Sequence, residues 1–199
     1  MTNLSRTLVG LAGLTLTLAV ATPASTGPKD PGYAKAFSCS ACHGADGASR
    51  SDTVPILAGM PAWYLKKAIQ DYAAGKRPAA EMEPYAKMVL QLGVDDVANY
   101  FARQPKPAPV AADPAAVERG RAAAAPCAVC HGTTGKGDPA KGVPDLTGQP
   151  AGYLKNQMLL FKADKRSAGD PTLSAIKALM KGIPDAQYAD LAAYFSSQR

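Results

Sequence analysis

The sequence predicts an all-α protein built from two tandem copies of one small helical domain. Three observations carry this reading. The pattern CxxCH occurs twice, as Cys39-Ser-Ala-Cys42-His43 and Cys127-Ala-Val-Cys130-His131, and uses every cysteine and histidine of the chain. The surrounding text recurs with the motifs: Val54-Pro55-Ile56-Leu57-Ala58-Gly59 matches Val143-Pro144-Asp145-Leu146-Thr147-Gly148, and Tyr64-Leu65-Lys66 matches Tyr153-Leu154-Lys155. Between the repeated loops and the copy ends, Trp63, Leu65, Ala68, Ile69 and Tyr72 fall at helical spacing, and no βαβ pattern appears. Two copies make a tandem duplication rather than a solenoid, for which three or more repeats are expected.

The elements follow in chain order. Residues 1–24 carry one charge, Arg6, then an apolar stretch from Leu8 to Ala21, too short for the roughly 20 residues a bilayer span needs. Small-residue sites around Ala21 and Ala24 follow, so this segment reads as a signal peptide, with an uncleaved anchor as the competing reading. The first domain is placed at 25–104, with a short helix over 30–40 leading into the motif. A Gly/Pro loop comes next, then a helix from about Pro61 to Ala74, where core packing is expected for the aromatics, and a last helix over Val94 to Arg103. Residues 105–112 are a Pro-rich linker that cannot continue a helix. The second domain is placed at 113–199. It opens on Asp113-Pro114, an N-cap followed by Pro at the first helical position. Its helices are expected at 113–125, Pro150 to Ala163 and Asp185 to Ser197.

Composition bounds the function. The 199 residues are 47% apolar and 19% charged, which excludes a wholly disordered chain. Aromatics are only 7%, and domains of this size bury little surface by themselves. Something other than side chains must complete each core.

The CxxCH chemistry supplies it. Two thiols three positions apart on a helical turn can add to the two vinyl groups of haem, and the following His lies under the iron as proximal ligand. Each core is therefore expected to close round a covalent c-type haem held by Cys39 and Cys42, or by Cys127 and Cys130, with His43 and His131 on iron. A zinc site needs its CxxC pairs closer than the 84 residues between Cys42 and Cys127. Paired disulfides remain the other alternative in an exported chain.

Haem also revises the charge. The formal net charge is +6, and +5 once Arg6 is removed. Each haem adds about −1 when ferric and about −2 when ferrous, counting its propionates. That removes most of the case for nucleic acid, and the basic pairs Lys66-Lys67, Lys76-Arg77 and Lys165-Arg166 read as solvated faces, with propionates or an acidic partner as a minor alternative.

Taken together, CSACHGADG, CAVCHG, the two VPxLxGxP loops and the YLK and AYF segments resemble the dihaem class I cytochromes c of the c4 type, over nearly the whole mature chain. The resemblance implies two tandem cytochrome c domains in a periplasmic electron carrier, monomeric, and soluble or loosely membrane-associated. Electrons would pass from a quinol-oxidising complex or dehydrogenase to a terminal oxidase. It also implies that carbonyls at Pro55 and Pro144 accept the Nδ1 protons of His43 and His131.

No histidine remains for the sixth ligand, so methionine is expected. In the first copy Met82, 18 residues before Tyr100, is favoured over Met88. The second copy departs from the pattern: the equivalent positions hold Leu173 or Ile176, which cannot ligate iron. Met180 is the expected donor if the segment slides along its helix. An open or water-bound site and Lys177 are the alternatives, and Met158 is not expected to serve. The leading functional reading is an electron carrier with no substrate of its own. A dedicated electron-accepting subunit of one dehydrogenase, and a haem enzyme or ligand sensor using an open second site, are the alternatives.

Overall fold

A computed structural model describes residues 27–199; the signal-peptide reading of 1–24 lies outside them. Among the described residues every regular element is helical, and Asp138 and Val143 form a lone antiparallel bridge. None of these helices is long and apolar enough to cross a membrane.

In the first half, α1 (Tyr33–Ala36) runs through a 3-10 turn at Phe37–Cys39 into α2 (Ser40–His43). The helical path thus extends past residue 40 and through the motif. Left-handed Gly44, at φ 77°, ends it directly after His43. Then come α3 (Ala62–Ala73), α4 (Met82–Leu92) and α5 (Val94–Ala102).

The second half repeats the order: α6 (Pro114–Ala123), a 3-10 turn at Ala125–Cys127, α7 (Ala128–His131), α8 (Ala151–Lys162), α9 (Ser174–Gly182) and α10 (Gln187–Ser197). Asp113 caps α6 by accepting from the Ala115 and Ala116 N–H groups at 3.2 Å, with Pro114 at the first helical position.

Helices α4 and α9 are additions to the sequence reading. Pro84 sits in the first turn of α4, where helical N–H groups have no intrahelical partner anyway, so it costs no backbone bond.

In each half the first long-range contact is a crossing of the leading helix with the last. Gly32 lies against the Asp96 carbonyl and Tyr100 Cβ, and Gly120 against the Asp190 carbonyl and Tyr194 Cβ. Behind these crossings Val97, Ala98, Tyr100 and Phe101 form one core with Leu65 and Val89. Leu191, Ala192, Tyr194 and Phe195 form the other with Tyr153 and Leu154. An arginine ties the start of the first half to its end, where Arg103 pairs with the buried Asp30.

The halves meet through equivalent residues. Gln149, the counterpart of Met60, crosses over to donate to the Ile56 carbonyl at 2.8 Å, accepts from the Ile56 N–H at 3.0 Å and reaches Met60 Sδ at 3.1 Å. The Tyr153 N–H donates to the Asp52 carbonyl at 2.9 Å. Lys106 in the connecting segment is held by Asp145 at 2.7 Å and Thr147 at 3.0 Å.

Candidate functional site

The turn geometry of CxxCH places both thiols and the imidazole of each motif on the wall of one continuous cavity of about 910 Å³, which runs across the junction of the two halves. None of the four cysteines is paired in a disulfide. Among the described residues no three His, Cys, Asp or Glu side chains converge as a zinc site would require.

Each histidine is braced from behind. His43 Nδ1 lies 2.8 Å from the Pro55 carbonyl oxygen, and His131 Nδ1 lies 3.0 Å from that of Pro144. A carbonyl only accepts, so Nδ1 carries the proton and Nε2 keeps its lone pair. Burial holds both imidazoles below the usual histidine pKa, outweighing the carbonyl bonds that act the other way. A neutral ring with a free Nε2 is what iron ligation requires.

The wall opposite the motifs is apolar. In the first half Met82 and Ala86 of α4 line the cavity; Met88 does not, and packs against the hydrophobic core instead. In the second half Leu173, Ile176, Leu179 and Met180 line it, and Met180 is 5% exposed. Counting back from the matched Tyr100 and Tyr194, Met180 takes the place of Ala86 and Ile176 that of Met82. Lys177 points elsewhere: its ammonium is held by the Ser167 carbonyl and by Asp164 at 2.6 Å. Met158 reaches the cavity from α8, as its counterpart Ile69 does from α3.

Trp63 and Tyr72 both line the cavity, Tyr72 as one of the buried hydrophobic residues, and Trp63 Nε1 is buried with no partner. One expectation needs correction. Arg77 is not on a solvated face but 2% exposed, because its guanidinium packs 4.6 Å from the Tyr72 ring centre and donates to Tyr153 of the other half. Sequence spacing gave Trp63 its helical face but not the vacant volume that face looks onto.

The cavity fits c-type haem. It offers thiols and a lone-pair imidazole from the same turn, an apolar interior, and buried donors without acceptors in Trp63 Nε1 and Ser38 Oγ. A group carrying carboxylates would satisfy such donors.

Comparison with known proteins agrees with the site. The cytochrome c family profile matches twice, over residues 32–104 and 117–199. The chain is 33% identical to cytochrome c4 of Pseudomonas aeruginosa, over 92% of this chain and 96% of the relative. It is 34% identical to the thiosulfate dehydrogenase electron acceptor of Thiomonas intermedia, over 89% of this chain and 85% of the relative. The crystal structure of reduced recombinant cytochrome c4 from Pseudomonas stutzeri superposes with a TM-score of 0.77 at 28% identity, covering 84% of this chain and 97% of that one. Two copies of the family domain, each with its own CxxCH turn on the wall of the shared cavity, make this chain a member of the cytochrome c family, of the dihaem c4 type, with two covalently bound c-type haems.

Proposed function

We propose that this dihaem electron-transfer protein works in the periplasm, passing electrons from a quinol-oxidising complex or dehydrogenase to a terminal oxidase. The observation that carries the reading is the pair of histidines, each braced by a carbonyl and set on the wall of a largely apolar cavity. Bound haem supplies one-electron chemistry at iron, cycling between ferric and ferrous.

The chain's residues do the rest. Cys39 and Cys42, and Cys127 and Cys130, tether the porphyrins through thioethers. His43 and His131 would be the proximal ligands, fixed in orientation by the Pro55 and Pro144 carbonyls. Met82 would hold the first haem on its distal side, where a thioether sulfur raises the potential. Met180 would hold the second haem on its distal side: it is the sulfur that α9 brings to the cavity wall, and Lys177 is engaged elsewhere. Leu173, Ile176 and Leu179 give this wall no acid or base, which supports a carrier over a catalyst.

Near-infrared magnetic circular dichroism tests the ligand set. Two His/Met signals are expected, with Met82→Leu and Met180→Leu each abolishing one. A single signal in the wild type, together with carbon monoxide binding to the reduced protein at neutral pH, would mean an open second site and would revive the ligand-sensor reading.

A second reading concerns the donor. The relatives named thiosulfate dehydrogenase electron acceptor favour a dedicated acceptor for one sulfur-compound dehydrogenase. Stopped-flow reduction by such an enzyme and by a quinol-oxidising complex separates the two. A dedicated acceptor is reduced fast by the first alone, and a shared carrier by both.

A further inference from the structure

The second half secures its distal helix in a way that the first half does not. Met82 is the first residue of α4, whereas Met180 stands third from the end of α9. Helix α9 stops there because Pro184 follows. A residue before proline is pushed to extended backbone, as Ile183 is at φ −82° and ψ 128°. Proline also has no N–H, so the Met180 carbonyl loses its regular helical partner, the N–H four residues on. What the backbone still offers it is the Ile183 N–H at 3.2 Å.

Two side chains make good the loss. The Tyr188 O–H, near the start of α10, donates to the Met180 carbonyl, and the whole tyrosine is buried. Lys162, the last residue of α8, donates to the Ile183 carbonyl at 3.2 Å and pairs with Asp185 at 2.6 Å. Its ammonium lies 5.3 Å from the Tyr188 ring centre. The turn between α9 and α10 is thus tied to α8 on one side and to α10 on the other. Helix α10 is itself fixed by its crossing with α6 at Gly120 and by Leu191, Ala192 and Tyr194 in the core.

Both donors are peculiar to this copy. The matched repeats put Ala73 at the place of Lys162 and Val94 at the place of Tyr188, and neither side chain can donate. The same matching puts Ala86 at the place of Met180. Three exchanges therefore meet at one helix end, in the copy where Ile176 stands in place of Met82. A buried tyrosine hydroxyl needs an acceptor somewhere. This one takes the backbone of the residue that carries the sulfur.

We propose that Tyr188, braced by Lys162, is the positioning residue that holds the Met180 sulfur on the second haem iron, and that the first haem has no equivalent. This role rests on the reading of Met180 as distal ligand and adds what keeps it in place.

Imidazole binding to the oxidised holoprotein tests it, since imidazole takes the sixth position only after methionine lets go. Tyr188→Phe keeps the ring and removes the donor. Imidazole is expected to bind one haem about fivefold faster than in the wild type, the effect of losing one such hydrogen bond. The potential of that haem should fall, because methionine ligation raises it, while the other haem is unchanged. Met180→Leu identifies which kinetic phase belongs to the second haem. If Tyr188→Phe does not fold, Lys162→Gln carries the test at a half-exposed position, with the same direction expected at the same haem. Acceleration at both haems or at neither overturns the positioning role, and so does a lower melting temperature with unchanged imidazole kinetics, which would make Tyr188 a packing residue alone. The ligand reading fails separately: if Met180→Leu leaves both near-infrared His/Met signals in place, another donor serves the second iron.

Discussion

Replacing Gly120 with alanine sets two physical effects of opposite sign against each other. In an exposed helix the change would stabilise α6 by ~1 kcal/mol, because glycine is the poorest helix former after proline. At this crossing an added Cβ would stand 2.0 Å from the Asp190 carbonyl oxygen and 2.7 Å from Tyr194 Cβ, where ordinary contact begins at 3.4 Å. Neither neighbour is the free end of a side chain, so α6 and α10 must move apart by more than the clash they relieve at one atom. Overpacking of this kind costs about 1–3 kcal/mol. Separation also loosens the dispersion contacts along the whole crossing. The packing effect therefore wins, and a net loss of up to about 2 kcal/mol is expected, with a fall in melting temperature of about 4–8 °C per kcal/mol for a domain of this size. Guanidinium denaturation of the holoprotein, followed by far-ultraviolet circular dichroism and haem absorbance, measures it. Gly182→Ala is the control, since nothing lies within 4 Å of a Cβ there. A Gly120→Ala protein as stable as the control, or more stable than wild type, would refute the packing argument.

Two further outcomes are expected. Gln149→Ala leaves the N–H and carbonyl of Ile56 without partners in a buried junction, at a cost of about 1–3 kcal/mol to domain docking. Faster proteolysis within 105–112 and a larger scattering radius should follow, and unchanged values would show that the junction does not depend on this amide. The Asp30 carboxyl is held below its ordinary 3.8: burial pushes it up, but the Arg103 pair and the Gly32 N–H outweigh that. A depressed carboxylate contributes stability above the unfolded value and loses it as pH falls through the folded one. Asp30→Asn should therefore be less stable than wild type at neutral pH, with the difference closing in melts taken below pH 3.8. A gap independent of pH would point to packing instead.

The duplication and both CxxCH turns were legible because their chemistry is local: five consecutive residues, identical in spacing, that exhaust the cysteines and histidines. The long helices α3, α5, α8 and α10 were legible from apolar spacing and flanking prolines. Helix α4 was not among the expected elements, although Pro84 stands in its first turn, where a proline is tolerated. Arg77 and Arg166 read as surface charges because sequence shows composition and not what lies across a domain junction. The distal side of the second half was legible only as a gap at Leu173 and Ile176. That Lys177 is tied to Asp164 and Ser167 depends on a fold-back of ten residues that no local pattern announces.

A single cavity entered by both motifs makes each lobe part of the other's wall. An exchange of one side chain on that common lining therefore alters the surroundings of both imidazoles, and the halves cannot be tuned as wholly separate units.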